Sequence, residues 1–121
     1  MRVEAPTTSA ELAELLARHE HVALYCTQPG CGPCHALWPT VEATLADRAD
    51  VALARVDLTQ APEVRGQLLL FTVPALVLFR GGREVDRAAR VIRRQWLEAA
   101  VARLEHRHGE MSPRRQDPSS Q

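Results

Sequence analysis

The sequence contains no lysine, few aromatic residues and no long apolar run. All 15 basic side chains are arginine and are matched by 15 Asp and Glu, so the formal net charge is zero. This balance predicts no broad electrostatic attraction to nucleic acid or to an acidic membrane. The aromatic content of 4% is too low for a platform on which bases stack. No stretch approaches the roughly 20 apolar residues that a membrane-spanning helix needs.

The length and the first residues of the chain bound its organisation. A chain of 121 residues is long enough for one hydrophobic core and short for two independent domains. We predict a folded domain over residues 1–108 and a polar tail over residues 109–121, and we expect a monomer. Glu4 and Pro6 stand where a signal peptide would carry an apolar run, so we expect the protein to remain in the cytoplasm.

Short apolar runs alternate with segments of helical periodicity along the chain. The predicted helices cover Ser9–His19, Cys31–Arg48, Pro62–Leu70 and Val91–His106. The predicted strands cover His21–Cys26, Val51–Asp57, Ala75–Phe79 and Arg83–Ala88, with a short edge strand at Val3. Strand–helix–strand crossovers imply parallel pairing, and Gly81-Gly82 predicts an antiparallel hairpin. We therefore expect an α/β fold with a central mixed sheet of four to five strands and helices on both faces.

The segment Cys31-Gly32-Pro33-Cys34 lies where a predicted strand ends and a predicted helix begins. A cysteine at a helix N-terminus faces unsatisfied N–H groups and the positive end of the helix dipole, which favours its thiolate. Cys31 is therefore the predicted nucleophile toward a disulfide. Cys34 returns beneath it on the first helical turn as the predicted resolving thiol. Gly32 permits a close approach, and Pro33 fixes the backbone without needing an N–H partner.

These residues and several others in register resemble the thioredoxin family. Cys-Gly-Pro-Cys is that family's own active-site sequence, and Pro39 matches the proline within its active-site helix. Asp57, Pro62, Phe79 and the glycine pair at 81–82 also fit the family pattern. Pro74, preceded by Val73, matches the family's cis-proline opposite the active site. The resemblance covers roughly residues 3–104, nearly the whole predicted domain.

The resemblance implies a thioredoxin fold and a thiol–disulfide oxidoreductase that acts on disulfides of protein substrates. The substrate chain is expected to lie across Val73, Pro74 and the loop at Gly30. No cofactor and no metal are expected, and electrons would come from an external reductase, such as a thioredoxin reductase, or from a small thiol. Such a protein would contribute to cell redox homeostasis.

The chain departs from the family pattern around the dithiol. Gly30 precedes the first cysteine where the family usually has tryptophan. Tyr25, or Leu24 if the loop holds one extra residue, occupies the place of the family's buried aspartate, and Arg55 stands near its lysine partner. His35 is a candidate substitute for proton handling, because its ordinary pKa is near neutrality. Arg90 falls near a glycine of the family, which puts the usual partner-docking surface in question.

Two other classes of function stay open from the sequence alone. One is a thioredoxin-fold module that binds a partner without catalysis. The other is a metal or iron–sulfur site, because the spacing of Cys26, Cys31 and Cys34 matches three members of a plant-type cluster motif. No fourth cysteine is present, so such a site would need another ligand. The simpler interpretation of Cys26 is a small residue of the core.

Overall fold

In the computed structural model, which describes residues 2–106, five strands form one mixed sheet in the order β1-β3-β2-β4-β5. The strands are β1 (Val3–Glu4), β2 (His21–Thr27), β3 (Val51–Asp57), β4 (Ala75–Arg80) and β5 (Arg83–Ala89). The helices are α1 (Ser9–Arg18), α2 (Gly32–Ala46), α3 (Pro62–Leu68) and α4 (Arg94–Glu105). β3 is parallel to β1 and β2, whereas β4 is antiparallel to β2 and β5. The predicted mixed sheet is confirmed, and Val3 belongs to its fifth strand.

The sheet separates two hydrophobic cores. β2 is buried at every position, and successive side chains of a strand point to opposite faces. Leu24 and Cys26 belong to the core that α1 and α3 cover, whereas Tyr25 belongs to the core that α2 and α4 cover. Helices therefore lie on both faces, as the sequence predicts. None of the helices in residues 2–106 is long and apolar enough to cross a bilayer.

Local hydrogen bonds explain where α1 begins. The Oγ1 atom of Thr8 accepts a hydrogen bond from the backbone N–H of Glu11 at 3.0 Å, which makes Thr8 the N-cap of α1. The Glu11 carboxylate accepts from the N–H of Thr7 at 2.7 Å and from its hydroxyl at 3.0 Å. In a capping box the glutamate carboxylate accepts from the N–H of the N-cap residue itself; here it accepts from the residue before the cap.

Three predicted helix boundaries differ from the structure by two or more residues. α2 ends at Ala46, not Arg48. α3 ends at Leu68, not Leu70, because Leu69 adopts a left-handed conformation with φ of 54° and closes the helix. α4 begins at Arg94, not Val91, and Val91 is exposed in the connection before the helix. Arg93 occupies the N-cap without a side-chain hydrogen bond, so no capping residue marks this start in the sequence. The predicted tail over residues 109–121 lies outside the described residues.

Candidate active site

The strand register brings three loops to one end of the sheet. Cys26 of β2 pairs with Ala75 of β4, and Ala75 pairs with Ala89 of β5. The loop that follows β2, the residues that precede β4 and the segment that follows β5 therefore emerge side by side. The predicted site residues come from these loops and from the first turn of α2.

The loop before the first cysteine is a tight turn. The N–H of Cys31 donates to the carbonyl of Gln28 at 3.3 Å, so Pro29 and Gly30 are the two central residues. Gly30 has φ of 78°. Proline followed by a residue with positive φ is the pattern of a type II turn, which favours glycine at the second central position. The backbone thus explains why glycine, rather than a residue with a side chain, precedes Cys31.

Cys31 and Cys34 are joined by a disulfide, with 5.3 Å between their Cα atoms. Cys31 is the N-cap of α2, and its Sγ accepts a hydrogen bond from the N–H of Cys34 at 3.1 Å. The two sulfurs differ in access, since Cys31 is partly exposed while Cys34 is 0% exposed. Gly32 and Pro33 between them are exposed. This geometry fits a redox-active pair with one reachable sulfur.

The proline opposite the dithiol has the expected geometry. The Val73–Pro74 peptide bond is cis, which confirms the expectation drawn from the family resemblance. Pro74 is buried and Val73 is half-buried against the first core. The carbonyl of Pro74 accepts a hydrogen bond from the N–H of Arg90 at 2.8 Å. The cis-proline and the start of the β5–α4 connection are therefore held together.

Tyr25 occupies the place where the family carries a buried aspartate. Its hydroxyl donates to the carbonyl of Cys34 at 2.8 Å, and the side chain is 0% exposed. Leu24, the other candidate for this place, faces the opposite core. Burial raises the pKa of Tyr25 to about 12, although the positive charge of Arg55 acts to lower it. A neutral phenol thus stands beneath the dithiol at neutral pH.

An aromatic and cationic stack continues from Tyr25. The Tyr25 and Trp38 rings have centroids 5.4 Å apart and are tilted by 34°. The guanidinium carbon of Arg55 lies 4.5 Å from the Trp38 ring centroid, which is a cation–π distance. Trp38 and Trp96 are partly buried and pack against the second core. Arg55 therefore contacts an aromatic ring where the family pattern has lysine beside an acid.

His35 is exposed on the first turn of α2. It lines a surface cleft of about 300 Å³ together with Arg55 and Asp57. Among the hydrogen bonds within residues 2–106, none joins the imidazole of His35 to either cysteine. The side chain that reaches Cys34 is that of Tyr25, which the sequence marks only as a departure from the family pattern.

Arg65 is a residue of the site that sequence reasoning missed. One nitrogen of its guanidinium donates to the Gln28 side-chain oxygen at 3.0 Å, and another donates to the carbonyl of Leu70 at 3.2 Å. Arg65 thus connects the active-site turn to the segment that leads to Pro74. An arginine on a short helix gives no local signal for such a role, since both partners are brought to it by the fold.

Cys26 is separated from the dithiol by the sheet. It is a free, fully buried thiol in the core beneath α1 and α3, whereas Cys34 belongs to α2 on the opposite face. Burial raises the pKa of Cys26 to about 12. The interpretation of Cys26 as a core residue is confirmed. Within residues 2–106 there is no group of three or more His, Cys, Asp or Glu side chains placed to hold a metal ion.

Comparisons with known proteins agree with this geometry. The family model "Thioredoxin" matches residues 3–103. Thioredoxin-like protein YdfQ of Bacillus subtilis is 31% identical over 93 residues, which cover 77% of this chain and 83% of that protein. A mutant thioredoxin from Halobacterium salinarum has a TM-score of 0.80 at 25% identity, covering 93% of this chain and 95% of its own. Thioredoxin of Fasciola hepatica has a TM-score of 0.78 at 28% identity, covering 87% of this chain and 100% of its own.

The sheet order, the dithiol at the start of α2 and the cis-proline define a thioredoxin-like thiol–disulfide oxidoreductase. The chain belongs to the thioredoxin family, as the match over residues 3–103 shows. The family resemblance stated from the sequence is therefore confirmed.

Proposed function

We propose that the protein is a protein-disulfide reductase that passes two electrons from the Cys31–Cys34 dithiol to disulfides of protein substrates. It would thereby maintain redox homeostasis in the cytoplasm as a monomer. The observation that carries this proposal is the asymmetry of the pair. Cys31 is partly exposed at a helix N-cap, and Cys34 is fully buried behind it. Only one sulfur can meet a large substrate first.

The exchange between the dithiol and the substrate disulfide proceeds in two steps. The Cys31 thiolate attacks one sulfur of the substrate disulfide, forms a mixed disulfide and releases the first substrate thiolate. The N–H of Cys34, which lies 3.1 Å from the Cys31 sulfur, stabilises the negative charge on Cys31 before attack. Cys34 then gives up its proton to solvent and attacks the Cys31 sulfur, which closes the Cys31–Cys34 disulfide and releases the second substrate thiolate.

The loops beside the dithiol supply the substrate site in this proposal. An extended substrate chain lies across Val73 and Pro74 and against the turn at Gly30. Gly32 and Pro33 are exposed beside the reactive sulfur, so they leave room for that chain. His35, also exposed, is available to exchange protons with solvent near the pair. The reaction uses no cofactor, and an external reductase or a small thiol restores the dithiol.

Reduction of an insulin disulfide by the purified protein, with dithiothreitol as electron donor, tests the proposal. We expect turnover well above that of dithiothreitol alone, and we expect Cys31→Ser to abolish it. Cys26→Ala is the matched control, because Cys26 lies on the other face of the sheet, and it should keep the activity. Folded, reduced protein that gives no acceleration would contradict the proposal and favour a binding module.

A further inference from the structure

The segments around the dithiol carry charge of one sign. Residues 28–41, 69–74 and 89–94 form the active-site loop with the start of α2, the approach to Pro74 and the connection after β5. None of these segments contains Asp or Glu. They contain His35, Arg90, Arg93 and Arg94. The whole chain has a net charge of zero, so this basic rim is a local feature.

Arg90 has a backbone conformation that arginine rarely adopts. Its φ is 69°, in the left-handed region where a side chain clashes with the backbone and glycine is favoured. The residue is nevertheless fixed next to the substrate loop, since its N–H donates to the carbonyl of Pro74 at 2.8 Å. Glycine would satisfy the same hydrogen bond without strain. The side chain of Arg90 is therefore not explained by the fold.

The arginines of this rim are not used in ion pairs within the described part of the chain. The ion pairs of residues 2–106 involve Arg2, Arg18, Arg48, Arg87 and Arg103. Arg90, Arg93 and Arg94 are exposed, and no side-chain hydrogen bond or ion pair joins them to residues 2–106. Their positive charges are thus available to a bound partner.

We propose that Arg90 determines substrate specificity by pairing with an acidic side chain next to the target cysteine of the substrate. The inference rests on the proposed disulfide reductase activity and names the substrate class: protein disulfides flanked by Asp or Glu. The N–H of Arg90 is bonded to the carbonyl of Pro74, so a substrate chain that extends across Val73 and Pro74, as in the proposed function, passes beside Arg90. Arg90 is the arginine of this rim that is bonded to Pro74, whereas Arg94 lines a separate cleft with Asp47 and Glu98. The three segments themselves contain no carboxylate.

Disulfide-linked fluorogenic peptides test this proposal. Three peptides share one sequence except for the two residues that flank the cysteine, which are Glu, Gln or Lys. Reduction is followed with dithiothreitol as donor, and the direct reaction of dithiothreitol with each peptide is subtracted. At low salt we expect kcat/KM for the Glu peptide to be about fivefold above that for the Gln peptide, as for an exposed ion pair. The preference should shrink in 0.5 M NaCl, where charges are screened within roughly 5 Å.

Substitutions at Arg90 separate specificity from folding. Arg90→Gly should raise the urea midpoint of unfolding, because it relieves the left-handed strain, and should lower the Glu-over-Gln ratio to about twofold or less. Arg90→Lys should keep most of the preference, since it retains the charge at the same φ. Arg83→Gln is the matched control, because Arg83 is exposed at the opposite end of β5, and it should leave the ratio unchanged.

The outcomes distinguish this inference from the proposed function. Equal rates for the Glu and Gln peptides would overturn the specificity and leave the reductase activity standing. The specificity would also be overturned if the Arg90→Gly variant folds stably and keeps the full preference for the Glu peptide over the Gln peptide. If none of the peptides and no insulin are reduced, the proposed function fails and the specificity fails with it.

Discussion

The hydroxyl of Tyr25 donates a hydrogen bond to the carbonyl of Cys34 at 2.8 Å. The bond links the central strand β2 to the first turn of α2, directly beneath Cys34, the proposed resolving cysteine. A phenol with a raised pKa donates this bond throughout the neutral range, whereas a carboxylate at the same place could only accept one. Tyr25 therefore positions the backbone of Cys34 in a way that an acid could not.

Titration of Tyr25 makes the stability of the fold depend on alkaline pH. The pKa of Tyr25 is raised from 10.0 to about 12 by burial, so the folded state holds this proton more tightly than the unfolded chain. Its contribution is fully present below pH 10.0 and is lost as the pH rises to about 12. We expect the free energy of unfolding in urea to fall across this range. Because the chain has a single tyrosine, tyrosinate absorbance reports the pKa directly.

Two variants check the origin of this dependence. Arg55→Gln should raise the pKa of Tyr25 further, since the charge of Arg55 lowers it. Tyr25→Phe should remove this part of the alkaline dependence. Part of the fall in the free energy of unfolding at alkaline pH should persist in Tyr25→Phe. The reason is that burial also raises the pKa of Cys26 from 9.0 to about 12. A tyrosinate transition at the ordinary value in the folded protein would contradict the burial of the phenol.

Gly30 and Gly32 form a matched pair for a test of backbone strain. Neither position has an atom within 4 Å of an added Cβ, but only Gly30 has a positive φ, of 78°. We expect Gly30→Ala to lower the free energy of unfolding by about 1 kcal/mol. Gly32→Ala, at the first position of α2, should be neutral or slightly stabilising, because alanine is the better helix former. Urea unfolding of the oxidised proteins measures both, and equal losses would contradict the assigned turn.

Arg65 is expected to stabilise the site through its two hydrogen bonds. Arg65→Met should cost about 1–3 kcal/mol, because it leaves the Leu70 carbonyl and the Gln28 side chain without this donor. Gln28→Ala removes only one of these contacts and should cost less. In a double-mutant cycle by urea unfolding, the two substitutions should be non-additive, since they share one bond. Additive losses would show that the Arg65–Gln28 bond contributes nothing measurable.

Cys34→Ser should trap substrates as mixed disulfides on Cys31. Without the resolving thiol, the bond between Cys31 and the substrate has no internal attacker, so the adduct should persist until an external thiol removes it. Non-reducing electrophoresis and mass spectrometry of the mixture with insulin measure the adduct. Cys31→Ser is the control and should give none, because buried Cys34 does not reach a large substrate. Adducts that form on Cys34 in the Cys31→Ser variant would contradict the proposed order of attack.

Much of the fold follows from local sequence patterns. The apolar runs of β2, β3 and β4, the N-cap at Thr8 and the hairpin at residues 81–82 are signals that neighbouring residues make together. Their predicted elements are therefore found within one or two residues. The start of α4 has no capping side chain, and the end of α3 depends on a leucine in a left-handed conformation. Both boundaries lack the residue types that usually mark them, so both were misplaced.

The sequence by itself determined the chemistry of the site, and the tertiary structure decided the surroundings of that chemistry. The thiols at positions 31 and 34 lie three residues apart at a strand-to-helix junction, so their spacing already implies a dithiol on one helical turn. That Tyr25 rather than Leu24 lies beneath Cys34 depends on which face of β2 meets α2. The contacts of Arg65 with Gln28 and of Arg90 with Pro74 join residues that are distant in the chain. Periodicity describes neighbours in sequence, whereas these contacts arise only when strand register and helix packing bring distant segments together.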